Sequence, residues 1–221
     1  RYMIDELREH ASSMLLFLIW IMGIDGMVMT RDLFNLFIFV EITAVAGFVL
    51  VAMQQNAMAL SAGFKYVIAG TMASGFLLLG TMLLYYQTGT LNIDDLVLHK
   101  ALIVGPLGTA ALMLVLGTVL IELKPFPANG WGLDIYQASP AGLAALVSVG
   151  VSAAYLFALY KILPLLDSFL PVIAVTGLLT FVASNFIGLR QSAARRLLGY
   201  SLFGQMGLVI TALALLTQFS L

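Results

Sequence analysis

The chain has 221 residues, 62% of them hydrophobic and only 10% charged, with a net charge of −1. A soluble domain runs near about 45–50% apolar and about 25% charged, so this much apolar surface excludes a water-soluble globule and points to an all-α membrane protein, with the lipid bilayer as its solvent. The absence of cysteine and the presence of only His10 and His99, both outside the apolar runs, exclude disulfides, thiolate zinc sites, iron–sulfur ligation and paired-histidine haem binding. No cofactor or metal is expected, and the scattered basic residues argue against nucleic acid.

A bilayer core about 30 Å thick is crossed by roughly 20 apolar residues in a helix. Seven stretches meet that ruler: about 11–30, 33–53, 60–86, 106–123, 141–163, 170–189 and 197–216. Nothing alternates as the strands of a membrane barrel do. Residues 1–10 carry charges of both signs and no small-residue cleavage site follows, so a cleaved signal peptide is not expected. The chain opens on Arg1 and closes on Leu221 directly after an apolar run, and reads as an excerpt of a longer polypeptide forming one transmembrane domain over residues 1–221.

Following the spans from side to side puts Arg1, Arg8, Lys124, Arg190, Arg195 and Arg196 at one face, with Lys65 just inside it, and Arg31, Lys100 and Lys161 at the other. The basic excess makes the first face the cytoplasmic one. Between the fourth and fifth spans, LKPFPANGWGLDIYQASP has prolines at 125, 127 and 140 and glycines at 130 and 132, so a broken helix is expected near 123–140. Such breaks at membrane depth often mark transport sites. Gly70 and Ser74 in the third span read as a close helix-packing pair.

Four ionisable residues are candidates for ion translocation. Glu41 stands too deep in the second span for its short side chain to reach either interface; it is either a neutral, hydrogen-bonded structural carboxyl or a buried proton or ion carrier. Lys65, near the inner end of the third span, either snorkels or faces the bundle. In the second case a water-bridged link to Glu41 is expected. Glu122 and Lys124 flank the start of the break, where they are either solvated at a helix end or gathered in a cavity. Asp25 reads as a headgroup-level residue, Asp134 and Tyr136 as structural, and Arg195/Arg196 as topology signals and phosphate-level anchors.

Taken in order, RDLFNLFIFVEITAVAGFVLVA, KYVIAGTMASGFLLLGTMLLYYQTGTLN, PFPANGWGLDIYQASPAGLAALVS and RRLLGYSLFGQMGLVI resemble the core of the proton-conducting membrane transporter family. That family comprises the antiporter-like subunits of respiratory complex I, of Mrp-type cation/proton antiporters and of membrane-bound hydrogenases. The resemblance implies two inverted five-helix repeats, each forming a half-channel; residues 11–163 would be the first repeat and 170–216 the start of the second. It implies an acidic residue at Glu41, a lysine at Lys65, a break at Pro125–Trp131, and a tyrosine-serine at Tyr200–Ser201. Two departures follow from an ungapped match on Trp131 and Asp134: the family's lysine before the break falls on Glu122, and its histidine on Asn129. The buried lysine usual in the next helix falls near Val151–Ala153, where none exists.

What the resemblance implies for function is a membrane subunit of a multisubunit complex, multi-pass in a bacterial or archaeal cell membrane, moving protons or sodium ions through buried charges. Its partners would be other membrane subunits. It would have no catalytic centre of its own, the driving energy coming from a redox arm of the NADH:quinone oxidoreductase or hydrogenase type, or from cation/proton antiport. The alternatives are a degenerate, non-conducting scaffold subunit, favoured by the missing lysines, and a stand-alone secondary transporter, which would want broken helices in both halves.

Overall fold

A computed structural model describes residues 11–53 and 56–220. Arg1, Arg8 and His10 lie outside the described residues. The described residues are nearly all helical, without strands. Six helical segments are long and apolar enough to cross a membrane, joined by a shorter apolar helix at the start. In chain order these are α1 (Ala11–Met29), α2 (Leu33–Ala52), α3 (Ala57–Thr88), the six-residue α4 (Ile93–Leu98), α5 (Gly105–Leu123), α6 (Gly130–Ala138), α7 (Ala141–Leu146), α8 (Ser152–Ile162), α9 (Leu170–Gly188) and α10 (Ala194–Ser220). A π-helical turn, Val147–Val151, joins α7 to α8 in one continuous span.

The helix ends follow local chemistry. Asp32 caps α2 by accepting from the Asn35 backbone N–H, and Asn56 caps α3 by accepting from that of Ala59, both at 2.8 Å. These side chains satisfy donors that the first helical turn leaves free. Gly89, at φ +72°, ends α3 in the left-handed conformation that glycine adopts without strain. Those signals make α3 longer than the 60–86 read from hydropathy: its 32 residues span about 48 Å at 1.5 Å per residue.

That length matters because α5 and α6 run antiparallel along α3 as the two halves of one interrupted helix. The pairing can be followed from end to end. Gly80 of α3 lies against Ala111 and Val115, Thr118 donates to the Ala73 carbonyl at 2.8 Å, Gly70 faces Glu122, Tyr66 stacks on Trp131, and Lys65 pairs with Asp134. On the other side of α3, α2 descends with Ala44 opposite Gly70, Gly47 opposite Tyr66 and Ala52 opposite Gly63. The small residues bring three helices close together around the middle of α3.

Opposite ends of the bundle carry the charges that side-to-side tracing assigns them. At one end Arg31 pairs with Asp94, Lys100 with Asp167, and Lys161 donates to the backbone carbonyls of Met27, Val28 and Thr30. The last contact caps the carbonyl end of α1, where a cation is favoured. Two backbone bonds, Leu33 N–H to Leu91 and Ile93 N–H to Arg31, tie the α1–α2 and α3–α4 connections together there. The other end holds Lys65, Asp134, Arg195 and Arg196. One placement differs: Lys124 is not an inner-face cation. It is 1% exposed, since α6 continues the span beyond it and moves the true helix end some 14 residues further on, to Ala138.

Two expected outcomes follow. Gly207 and Gly177 let α9 and α10 touch backbone to backbone, and a Cβ on Gly207 would lie 2.7 Å from the Phe181 backbone nitrogen. Gly207→Ala should therefore lower stability by about 1–3 kcal/mol, read as a fall in Tm of the detergent-solubilised protein. At the surface, the hydrogen bond and charge of Arg31 hold the Asp94 carboxyl below its ordinary range, so any stability from this exposed pair is present at neutral pH and fades as pH falls through that depressed pKa. NMR titration of Arg31→Gln should show Asp94 returning towards the usual carboxylate value of about 4.

Candidate functional site

The break between α5 and α6 builds the centre of the site. α5 stops at Leu123 because Lys124 turns into the left-handed region, φ 57° and ψ 49°, before two prolines that cannot continue the helix. An unpaired backbone group in a bilayer costs several kcal/mol, and here the protein supplies partners. The Lys124 N–H reaches the Ile121 carbonyl, the Ala128 N–H reaches that of Pro125, and the Phe126 N–H donates to Thr180 Oγ of α9 at 3.0 Å. Thr180 is itself buried and returns its proton to the Thr176 carbonyl.

Both ionisable residues at the break turn inward and are about 1% exposed. Lys124 Nζ donates to the Glu122 backbone carbonyl at 2.6 Å and sits 4.7 Å from the centre of the Trp131 ring, a favourable cation–π placement. Trp131 in turn stacks on Tyr66 of α3, ring centres 5.4 Å apart. The Glu122 carboxyl points towards Gly70, and its Oε1 is buried without a hydrogen-bond partner. Around it, Tyr66, Tyr136 and Tyr155 all lie within electrostatic range of its charge.

Glu41 is half-buried on α2 and forms no hydrogen bond or ion pair among the described residues. It lies within electrostatic range of Tyr155. Because Ala44 faces the same Gly70 that Glu122 approaches, Glu41 stands within about one helical turn of Glu122 in height. Tyr155 thus has a carboxyl of α2 and a carboxyl of α5 in its surroundings.

Lys65 belongs to a different cluster. Rather than a link to Glu41, which is roughly 12 Å away along the bundle axis on the register above, its Nζ contacts Asp134 Oδ2 at 2.5 Å. Asp134 Oδ1 accepts from Arg196 at 2.9 Å, while Arg195 donates to the carbonyls of Gln137 and Ser139 at the end of α6. Arg195 and Arg196 therefore grip α6, beyond their value as topology signals. Nothing local in the sequence signalled this, since Asp134 and Arg196 stand 62 residues apart. Asp25 is exposed on α1, and Tyr136 packs on Phe203 with ring centres 5.6 Å apart. Where the family's next buried lysine would fall, the structure has the end of the π-helical turn and the buried Ser152; the lysine of α8, Lys161, caps α1 at the far end of the bundle.

With this geometry the relationship can be decided. The family of transmembrane proteins described as NADH:quinone oxidoreductase/Mrp antiporter matches residues 30–221. The chain belongs to that family. Among its relatives, subunit N of the NADH-quinone oxidoreductase of Desulforudis audaxviator is 34% identical over 215 residues, covering 94% of this chain and 43% of the relative. A chain of the membrane-bound sulfane sulfur reductase, an archaeal respiratory membrane complex, superposes with a TM-score of 0.84 at 35% identity, covering 90% of this chain and 42% of that one. A chain of the Mrp complex from a Dietzia species gives 0.82 at 27% identity, covering 90% and 39%. The chain thus spans less than half the length of these relatives, and is an integral, multi-pass, antiporter-like membrane protein.

The packing at the break yields a paired prediction. A Cβ on Gly132 would fall 2.5 Å from Lys124 Cδ and 3.0 Å from Phe203 Cζ, whereas one on Gly130 meets nothing within 4 Å. Gly132→Ala should lower the Tm by an amount equivalent to about 1–3 kcal/mol of overpacking, and Gly130→Ala should leave it unchanged.

Proposed function

We propose that this chain is the conducting part of a membrane subunit in a multisubunit complex, carrying protons or sodium ions through Glu41, the Glu122–Lys124 break and Lys65. Its partners are other membrane subunits, and its driving energy comes from a redox arm or an opposing cation gradient. The observation that carries this reading is the pair of fully buried ionisable residues, Glu122 and Lys124, at a helix interruption midway along the bundle. Ionisable groups inside a membrane bundle are expensive to maintain and mark ion pathways.

Chemically, Glu122 and Lys124 take the place of the family's single lysine at the break. A carboxyl and an amine two residues apart exchange influence through charge: a proton lost by one changes the affinity of the other for its own. Tyr155 supplies a hydroxyl within electrostatic range of both Glu41 and Glu122, and Lys65 with Asp134 stands at the inner end. The relatives' names support the setting, since they are subunits or chains of a quinone oxidoreductase, an Mrp complex and a respiratory sulfur reductase.

A second reading, a non-conducting scaffold subunit, is favoured by one observation: no lysine lies near Val151–Ser152, the middle of the α7–α8 span. Transport measurement on the full-length subunit in reconstituted vesicles, under an imposed ion gradient, separates the two. Glu41→Gln should cut transport at least about tenfold with assembly intact, the scale of a lost carrier in a proton-transfer chain. Of Lys124→Ala and Glu122→Gln, the first should give the larger defect, because Lys124 keeps the charge of the family's lysine. Normal rates in all three, in a complex that otherwise pumps, would replace the conducting reading with the scaffold one.

A further inference from the structure

The cluster at the inner end ties three helices together through one carboxylate. Asp134 projects from α6, the second half of the broken helix. Its Oδ2 holds Lys65 of α3 at 2.5 Å and its Oδ1 holds Arg196 of α10 at 2.9 Å. The Lys65 side chain is half exposed, on a cleft of about 230 Å³ lined by Met58, Ser61, Ala62, Lys65, Asp134 and Gln137. Adjacent to it, Arg195 holds the last carbonyls of α6. Among the described residues the charged groups at this face besides Lys65 are Asp134 from α6, Arg190 after α9, and Arg195 and Arg196 from α10. The one acidic residue within the membrane span of α2, Glu41, is too far along the axis to compete.

We propose that Asp134 is a positioning residue for Lys65, shared with Arg196 so that displacement of α10 is transmitted through α6 to Lys65 at the mouth of the cleft. The carboxylate has two oxygens and each is committed to a different helix, so neither cation moves without loading the other bond. Both ends of the interrupted segment are then held by the second repeat: Thr180 of α9 at the break, and Arg195 and Arg196 of α10 at its far end. The two bonds of Asp134, to Lys65 and to Arg196, both made from a short nine-residue helix, make α6 a lever between α10 and α3, a discrete physical link of the sort that coupling needs. This inference rests on the reading of Lys65 as part of the ion path.

The test uses a full-length subunit with any cysteine outside these 221 residues replaced, since none lies within them. Spin labels at Ser61→Cys and Gln137→Cys, across the cleft in the full-length subunit reconstituted in vesicles, report the α3–α6 distance, and transport is measured in the same preparation. Asp134→Asn should broaden the distance distribution and reduce transport about tenfold, within the usual range of a coupling between sites, and Asp134→Glu should restore both. Arg196→Gln should broaden the distribution as well, and it carries the test if Asp134→Asn does not accumulate in the membrane. An unchanged distribution in these variants, or full transport by Asp134→Asn while Lys65→Met is impaired, overturns the proposal and leaves the ion-path reading standing. Full transport by Lys65→Met removes Lys65 from the path, and the proposal falls with that reading.

Discussion

Everything distinctive in this molecule depends on interrupting a helix where water cannot repair the damage. Within a bilayer an open backbone group has only protein to turn to, so an interruption survives only where neighbours have been placed to receive it. Here Lys124 adopts the left-handed conformation, Pro125 accepts within a local turn, and Thr180 arrives from α9 to take the Phe126 N–H. The long α3 provides the unbroken support: Thr118 bonds to its Ala73 carbonyl above the break, and Tyr66 and Lys65 engage Trp131 and Asp134 below it. A continuous helix would have left Lys124 on the face fixed by the helical period; the left-handed residue turns it into the bundle.

That turn brings unlike groups into one buried space. Lys124 is held by a carbonyl and an aromatic face, both of which offer negative potential without a formal charge. Its ammonium is thereby retained near Glu122 without being consumed in a tight carboxylate pair, and a pair that is not locked is better suited to passing charge than a strong one. Glu122, with Gly70 in front of it, lies where α2, α3 and α5 meet, and Glu41 is within a turn of the same height. The small residues that bring these helices together leave Glu122 buried.

The α9–α10 hairpin is joined to the preceding spans more intimately than a simple succession of spans requires. The α9–α10 hairpin packs internally through Gly177 and Gly207, with backbone touching backbone, and makes its polar contacts to the first five spans at the break and along α6. Thr180, Arg195 and Arg196 all act on the same short stretch of chain. At the opposite end of the bundle, Lys161 capping α1 and the Lys100–Asp167 pair fasten the connections between spans.

The amino-acid sequence alone determined the membrane class, the apolar helical stretches, the end of the bundle for the charges other than Lys124 and the presence of a break near 123–140, because these depend on how many apolar residues lie in a row and where prolines and glycines interrupt them. Asn56 and Gly89 also carried the ends of α3, although hydropathy placed them three and two residues too far inward, since a cap is a local hydrogen bond to which an apolar average is blind. The depth of Lys124 could not be read from its position, because that depth depends on α6 resuming the span beyond it. Nor could the choice of Asp134 over Glu41 as the partner of Lys65, or of Thr180 as the partner of a loop amide 54 residues away. Those pairings are set by the register between α3 and the interrupted helix, and register arises from the fit of small residues across facing helices, which only the packed structure decides.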